Sequence, residues 1–172
     1  MVETITKEYD MLRQEILQYL AEYQNVRNMM YIITATILGF GLTNANAVEY
    51  VYLLPLVVIV PSFLVYIDYR NGIVRVASYL QIFYERNNDF PIKWETRLMK
   101  FQEIQKKRDW QKSPYIVCAY VCIILFLLCM EKSVLNFSIG IITFIACGVL
   151  FIKVKNPKSA DISEIWEKVK KK

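Results

Sequence analysis

The side chains with the clearest capacity for chemistry are four cysteines, Cys118, Cys122, Cys129 and Cys147. The first three are separated by four and seven residues, which places them near one face of a helix. Such thiols could bind a soft metal or form a redox relay, but all four lie in uncharged apolar segments, where small residues pack between helices. The chain has no histidine, the commonest general base and metal ligand. We therefore expect no metal, no cofactor and no enzyme.

The remaining polar chemistry is confined to the segment boundaries. The apolar segments contain no Asp, Glu, Lys or Arg, the groups that intramembrane proteases, proton relays and coupled transporters usually need. The five glycines fit neither of the phosphate-binding loop patterns. Glu49 and Glu131 could form a charged ring at the mouth of an oligomeric pore, or they could simply mark the ends of spans.

A third group of candidates lies in residues 28–48. Ala35 and Gly39 form a pair of small residues four positions apart, which permits close approach of another helix. We predict either ordinary packing within the chain or a pore lining or subunit contact, and the candidates for the second role are Asn28, Tyr31, Thr34, Thr36, Gly39 and Gly41.

The elements that carry these residues are four uncharged windows, 28–48, 50–67, 113–130 and 133–152. Each has a length typical of a membrane-spanning helix. The links between the first and second windows and between the third and fourth are short. We therefore predict an all-α polytopic membrane protein with four transmembrane helices in two hairpins and with cytoplasmic helical extensions. Pro61 should kink the second span, whereas Pro55 lies near its start.

Basic residues predict the topology. Of the 21 Lys and Arg residues, three lie in 1–27, ten in 68–112 and seven in the tail from 153, and Lys132 is the remaining one. The positive-inside rule then places both termini and the central segment in the cytoplasm. The predicted domains are 1–27, 28–67, 68–112, 113–152 and 153–172.

The formal net charge of +5 is thus a property of the segments next to the membrane. Membrane lipids are the expected partner, and no nucleic acid is expected. The residues predicted to contact lipid headgroups are Lys106, Lys107, Arg108, Lys112, Lys153 and Lys155.

A helical stripe leads into the first span, formed by Tyr9, Leu12, Ile16, Tyr19, Tyr23 and Val26. It must be buried either against the central segment of the same chain, where Ile73, Val76, Leu80 and Phe83 repeat at the same spacing, or against a second subunit or another partner. Residues 161–172 form a short amphipathic helix that either lies on the membrane or docks on the cytoplasmic helices.

Several of these runs resemble a known arrangement. They are EYDMLRQEILQYLAEYQ, the span ending in GFGL, and the second span leading into DYRNGIVRVASYL and the pair Trp94–Glu95. Over roughly residues 8–95 this layout is similar to that of SLATT-type effector domains in small bacterial membrane proteins. The resemblance implies an oligomeric membrane effector that forms a pore or perturbs the inner membrane in anti-phage defence. The alternative is a non-enzymatic anchor or scaffold that recruits a cytoplasmic partner protein through its helical extensions.

Overall fold

The computed structural model describes residues 2–44, 48–86, 93–105, 110–131, 133–154 and 159–171, and within these ranges it contains helices and no strand. The predicted all-α class is therefore confirmed. Short 3₁₀ helices span Glu49–Leu53 and Trp110–Lys112, and a π-helical segment, Gln81–Glu85, continues α2. The α-helices are α1 (Val2–Thr43), α2 (Leu56–Leu80), α3 (Trp94–Gln105), α4 (Ser113–Cys129), α5 (Val134–Lys153) and α6 (Ser159–Lys170).

The helices form two compact units. Unit 1 comprises residues 1–24, 67–109 and 156–172, and unit 2 comprises residues 25–66 and 110–155. Helices α1 and α2 each contribute one half to each unit. Unit 1 therefore collects, to within a few residues, the three segments that the charge pattern assigns to the cytoplasm.

The core of unit 1 is an antiparallel pair made of the first half of α1 and the second half of α2. Tyr9 packs edge-on against Tyr84, and Tyr19 lies beside Gly72, so the two helices run in opposite directions. The buried cluster consists of Tyr9, Ile16, Val76, Leu80 and Tyr84, with Leu12, Tyr19, Ile73 and Phe83 among the partly buried residues around it. Its members repeat at three and four residues, the spacing that gives a helix one apolar face.

The core of unit 2 is built around α4. Tyr115, Ala119, Cys122, Ile123 and Phe126 are buried on this helix. An aromatic group joins it to its neighbours, because the Phe63 ring lies 5.8 Å from that of Tyr115 and 4.8 Å from that of Phe151. The α4–α5 hairpin also packs closely at Gly140, where a Cβ atom would overlap the Leu127 side chain.

Two helical stretches are long and apolar enough to cross a bilayer, Glu49–Glu85 and α5. Helix α4 is apolar and has 17 residues, at the lower end of the range of about 17–25 residues that spans the hydrocarbon core. Over its described residues, helix α1 is not apolar enough to count as a third such stretch. The predicted arrangement of four spans is therefore not confirmed, and two candidate spans are supported by length and composition.

Some expected helix boundaries are wrong. The window 50–67 was expected to form one helix, but residues 49–53 form a 3₁₀ turn and α2 begins after Pro55, which suits a first turn because proline lacks an N–H donor. Pro61 lies inside α2 with an exposed ring. The turn expected at 87–91 lies outside the described residues.

Candidate functional site

The six candidate pore or contact residues of α1 divide between two faces of the helix. Thr34 and Gly41 are buried within unit 2. The other four are exposed: Asn28, Tyr31, Thr36 and Gly39. One face of α1 therefore packs inside the chain; Asn28, Thr36 and Gly39 lie on the opposite side, and Tyr31 lies between the two.

The buried pair has a structural role. A Cβ atom on Gly41 would lie 3.1 Å from the Tyr52 ring, and the Tyr52 hydroxyl donates a hydrogen bond to the Gly41 carbonyl at 3.0 Å. The Thr34 hydroxyl is buried and has no hydrogen-bond partner in the described part of the chain. Both residues face the interior of unit 2, where Gly41 packs closely against Tyr52.

The exposed side, which we call the outer face of α1, carries the small or polar residues Asn28, Ala35, Thr36, Gly39 and Thr43 together with the exposed side chain of Ile32. The Thr36 hydroxyl donates to the Ile32 carbonyl and the Thr43 hydroxyl to the Gly39 carbonyl, each at 2.8 Å, so neither hydroxyl requires water. Among the described residues, apart from its chain neighbours and the backbone of its own helix, nothing lies within 4 Å of the position that a Cβ on Gly39 would take. The outer face is therefore shallow around Gly39, and the hydroxyls of Thr36 and Thr43 are satisfied within their own helix.

The exposed faces of α4 and α5 have a different character. They present large aliphatic or aromatic side chains, which include Val117, Ile124, Leu128, Leu135, Phe137, Ile142 and Ile152. Large apolar residues suit contact with lipid tails, whereas small residues suit contact with another helix. The outer face of α1 carries a large apolar residue too, Ile32, and it differs from these surfaces in its small residues Ala35 and Gly39.

One polar site that sequence patterns did not single out lies around Asn136. This side chain is 5% exposed; its amide nitrogen donates to Glu49 Oε1 at 2.8 Å, and its oxygen accepts the Tyr50 hydroxyl at 2.6 Å. Glu49 is therefore engaged with α5 of its own chain. This contact supports a structural role for Glu49, and the expectation of a charged ring at this residue has no support.

Of the basic residues predicted to bind lipid headgroups, one is exposed and one is bonded within the chain. Lys153 is exposed and free to reach solvent or lipid. The Lys112 ammonium donates to the Val154 carbonyl at the end of α5, at 2.6 Å, and lies 5.8 Å from the centre of the Phe63 ring. Lys112 therefore caps α5 within its own chain. The other four, Lys106, Lys107, Arg108 and Lys155, lie outside the described residues.

The stripe of α1 is covered within the chain. Tyr9 and Ile16 are buried in the unit 1 cluster, Leu12 and Tyr19 pack against it, and Tyr23 is buried. Val26, the last member, is half-buried and belongs to unit 2. The partner of the stripe is the predicted run of α2 that contains Ile73, Val76, Leu80 and Phe83. No second subunit is needed to cover the residues in this cluster.

A buried polar network lies at one end of that cluster. Glu85 is 2% exposed, and its carboxylate accepts the Tyr9 hydroxyl at 3.2 Å and the backbone N–H groups of Glu95 and Thr96 at 2.8 and 2.7 Å. Glu95 and Thr96 lie in the first turn of α3, whose N–H groups have no partner within the helix. A carboxylate supplied by the π-helical segment that continues α2 thus caps α3.

The second carboxylate of the network is paired. Glu95 is 6% exposed, and its Oε1 atom accepts an Arg13 N–H at 2.7 Å. The Arg13 guanidinium also lies 5.5 Å from the centre of the Trp94 ring. Burial raises the pKa of Glu95, the Arg13 contact opposes this, and the Glu85 charge raises it further. Burial and the Glu85 carboxylate likewise raise the pKa of Tyr9 to about 12.

Helix α6 docks on α2, which is one of the two arrangements expected for it. The Trp166 ring packs edge-on against Tyr79 at 5.2 Å, and its indole N–H donates to the Arg75 carbonyl at 3.2 Å. Glu167 pairs with Arg86 at 2.6 Å, and Lys170 donates to the Ile82 carbonyl. On the side next to α2 and Tyr19, α6 borders a groove of about 640 Å³.

The four cysteines are free thiols. None is in a disulfide: Cys122 and Cys147 are buried, Cys118 is half-buried and Cys129 is exposed. Among the described residues, no three His, Cys, Asp or Glu side chains are grouped so that they could hold a metal ion.

Comparison of the chain with protein-family models, with curated proteins and with solved structures found no match.

Proposed function

We propose that the chain is a four-span inner-membrane protein with both termini in the cytoplasm that self-associates through the outer face of α1. The assembled subunits open a pore or perturb the bilayer. The resemblance to SLATT-type effector domains suggests bacterial anti-phage defence as the setting. On this proposal the protein is not an enzyme, and its partners are lipids and further copies of itself.

The observation that carries the proposal is the character of the outer face of α1. Ala35 and Gly39 leave a shallow surface with nothing covering Gly39, and Thr36 and Thr43 bond their hydroxyls to their own helix. In a bilayer, helices associate by close packing of small residues rather than by the hydrophobic effect. A face of this kind favours another helix over lipid tails.

The placement in a membrane is supported by α5. Only 22% of its most apolar window is buried inside the chain, although the helix has 20 residues and a mean hydropathy of 2.3. A core helix of a water-soluble protein would be mostly buried. Exposed apolar surface of this extent suits a lipid environment.

The decisive experiment compares two identical substitutions, Ala35→Leu on the outer face of α1 and Ala146→Leu on the exposed side of α5. The purified protein is reconstituted in liposomes, and self-association is followed by energy transfer between labelled subunits during lipid dilution. Release of a trapped dye is measured on the same vesicles. We expect A35L to weaken association at least about tenfold, roughly 1.4 kcal/mol, and to reduce dye release.

The A146L protein is expected to associate and to release dye as the unmodified protein does. If A35L and A146L behave alike, the outer face is not the contact. If vesicles containing the associated protein remain tight to ions and dye at every lipid ratio, the membrane-perturbing role is wrong even though self-association stands.

The second candidate function is a membrane anchor or scaffold that recruits a cytoplasmic protein. The exposed apolar side of α6 favours it, since Ile165 is 60% and Val169 is 52% exposed. This function requires a chain that stays monomeric in lipid and vesicles that stay tight. A photo-crosslinker at position 165 would then give one specific product in cells. Self-association through α1 would count against the anchor or scaffold function.

A further inference from the structure

The groove of unit 1 has the size of a small-molecule site. It lies between α2 and α6, with Tyr19 of α1 at one edge, and encloses about 640 Å³. Sites for small organic ligands in proteins generally occupy about 300–1,000 Å³ and are lined mostly by apolar and aromatic groups with a few polar ones. The apolar residues of this groove are Tyr19, Ile162, Ile165, Trp166 and Val169.

The aromatic walls of the groove are held by contacts with other parts of unit 1. Trp166 is fixed by its hydrogen bond to the Arg75 carbonyl and by the rings of Tyr79 and Phe83, at 5.2 and 6.1 Å. The Tyr19 ring lies 3.0 Å from the position that a Cβ on Gly72 would take, and its hydroxyl donates to Glu15. Neither ring needs a ligand to hold its position, so the groove is preformed.

The polar residues of the groove all come from α2. Asp68, Asn71 and Arg75 line it at spacings of three and four residues, which places them on one helix face. Seven residues of helix separate Asp68 from Arg75, about 10 Å along the axis. Within the described part of the chain, neither Asp68 nor Arg75 is joined to an opposite charge, unlike Arg13, which pairs with Glu95, and Arg86, which pairs with Glu167.

We propose that this groove binds an amphipathic organic anion. The apolar body of the ligand lies between the Tyr19 ring and the Trp166 side of α6, and its acidic group meets the Arg75 guanidinium, the one cation among the lining residues in the described part of the chain. Arginine stays charged at every physiological pH and matches a carboxylate or phosphate with two parallel N–H donors. Asn71 and Asp68 accept hydrogen bonds from polar groups nearer the other end. This binding site does not depend on self-association through α1.

The test uses the full chain in nanodiscs of zwitterionic lipid and a fluorinated naphthoate as the probe, with binding followed by fluorine NMR. The corresponding fluorinated naphthalenemethanol is the neutral comparison, and nanodiscs without protein give the contribution of the lipid. We expect saturable binding of the naphthoate and at least fivefold weaker binding in Arg75→Gln. The neutral compound should bind both proteins alike.

Two control variants separate the groove from general surface effects. Arg97→Gln removes an exposed arginine from α3, and Leu17→Trp enlarges an exposed apolar residue of α1; neither residue lines the groove, and both variants should bind the naphthoate as the parent does. Val169→Trp, which fills the groove, should abolish binding. Circular dichroism establishes that each variant is folded. Equal affinity in R75Q and R97Q, equal affinity in V169W and L17W, or partition into lipid alone would overturn the proposal.

Discussion

The carboxylate of Glu85 accepts the backbone N–H of Glu95 at 2.8 Å, and so a buried acid from α2 holds the first turn of α3. The same carboxylate accepts the N–H of Thr96 and the hydroxyl of Tyr9. Three elements of unit 1 therefore meet at one side chain. Arg13 strengthens the junction from α1 through its ion pair with Glu95.

Replacement of Glu85 by alanine is expected to destabilise unit 1 strongly. It leaves buried donors unpaired, and each costs about 1–3 kcal/mol. Glu85→Gln keeps one acceptor oxygen and should cost less. The measurement is thermal unfolding in detergent followed by circular dichroism. Glu22→Ala, on the exposed side of α1, is the control and should change stability by less than about 0.5 kcal/mol. Equal melting of E85A and E22A would show that the junction contributes nothing.

The stability of unit 1 should depend on pH through Glu95, whose buried carboxyl is paired with Arg13. The pKa of Glu95 lies above its ordinary value of 4.5, so the folded chain binds this proton more tightly than the unfolded chain does. The proton on Glu95 therefore stabilises the folded chain. This contribution is full below about pH 4.5 and is lost as the pH rises through the raised pKa of Glu95.

Arg13→Gln removes the contact that lowers the pKa of Glu95, so this pKa should rise further and the loss of stability should extend to higher pH. Carbon NMR of the labelled Glu95 carboxyl measures the pKa, and melting curves at several pH values measure the stability. A downward shift in R13Q would contradict the arrangement.

Tyr9 of the buried network should lose its hydroxyl proton at a higher pH than an exposed tyrosine does. Burial and Glu85 raise the pKa of Tyr9 to about 12, so between pH 10 and 12 the folded state retains a proton that the unfolded state releases. The contribution of Tyr9 to the free energy of unfolding is full below pH 10 and falls as the pH rises to 12. A difference absorbance titration of the parent and Tyr9→Phe isolates this phenol. In Glu85→Gln, its pKa should fall toward 10 but remain raised, because burial persists; an unchanged value would exclude the Glu85 charge as a cause.

Two helical glycines should respond oppositely to alanine. Gly72→Ala places a Cβ 3.0 Å from the Tyr19 ring, which must move, so the melting temperature should fall. Gly39→Ala meets no atom within 4 Å and should gain about 0.5–1 kcal/mol from helix propensity. Tyr19→Leu combined with Gly72→Ala should recover most of the loss, as a double-mutant cycle would show. Additive effects would mean that the ring and Gly72 do not meet.

The buried amide in α5 gives a further test. Asn136→Ala leaves the Tyr50 hydroxyl without its acceptor and Glu49 without its donor, at an expected cost of about 1–3 kcal/mol. Ser138→Ala is the control, because that hydroxyl bonds only to the Val134 carbonyl of its own helix in the described part of the chain. Thermal unfolding of the two variants in the same detergent compares them. A smaller loss in N136A than in S138A would refute this role of Asn136.

Much of the helical layout could be predicted from the sequence. The windows 113–130 and 133–152 differ by one or two residues from α4 and α5, because uncharged runs bounded by charges mark helix ends clearly. The run Ile73, Val76, Leu80 and Phe83 was expected to meet the stripe of α1 and does so, since both repeat at helical spacing. Local periodicity was sufficient for these features.

The polar contacts could not be predicted, because each joins residues far apart in the chain. Glu85 looks like an ordinary charge after an apolar helix, and only the fold brings it to Tyr9. The buried state of Asn136 depends on Tyr50 and Glu49 in another helix hairpin. Thr34 and Gly39 both look like candidate contact residues in the sequence. They are five residues apart on the helix, which places Thr34 inside unit 2 and Gly39 on the exposed side.

The division of unit 1 into three sequence segments has a consequence for biosynthesis. The first two segments can form these contacts as soon as Glu95 has left the ribosome, because Tyr9 bonds to Glu85 and Arg13 to Glu95. The rings of Tyr79 and Phe83 must wait for Trp166, which is translated only after α4 and α5. A nascent chain therefore carries an uncovered aromatic surface until its last helix is made. A nonsense mutation that removes α6 would leave that surface open to chaperones and proteases.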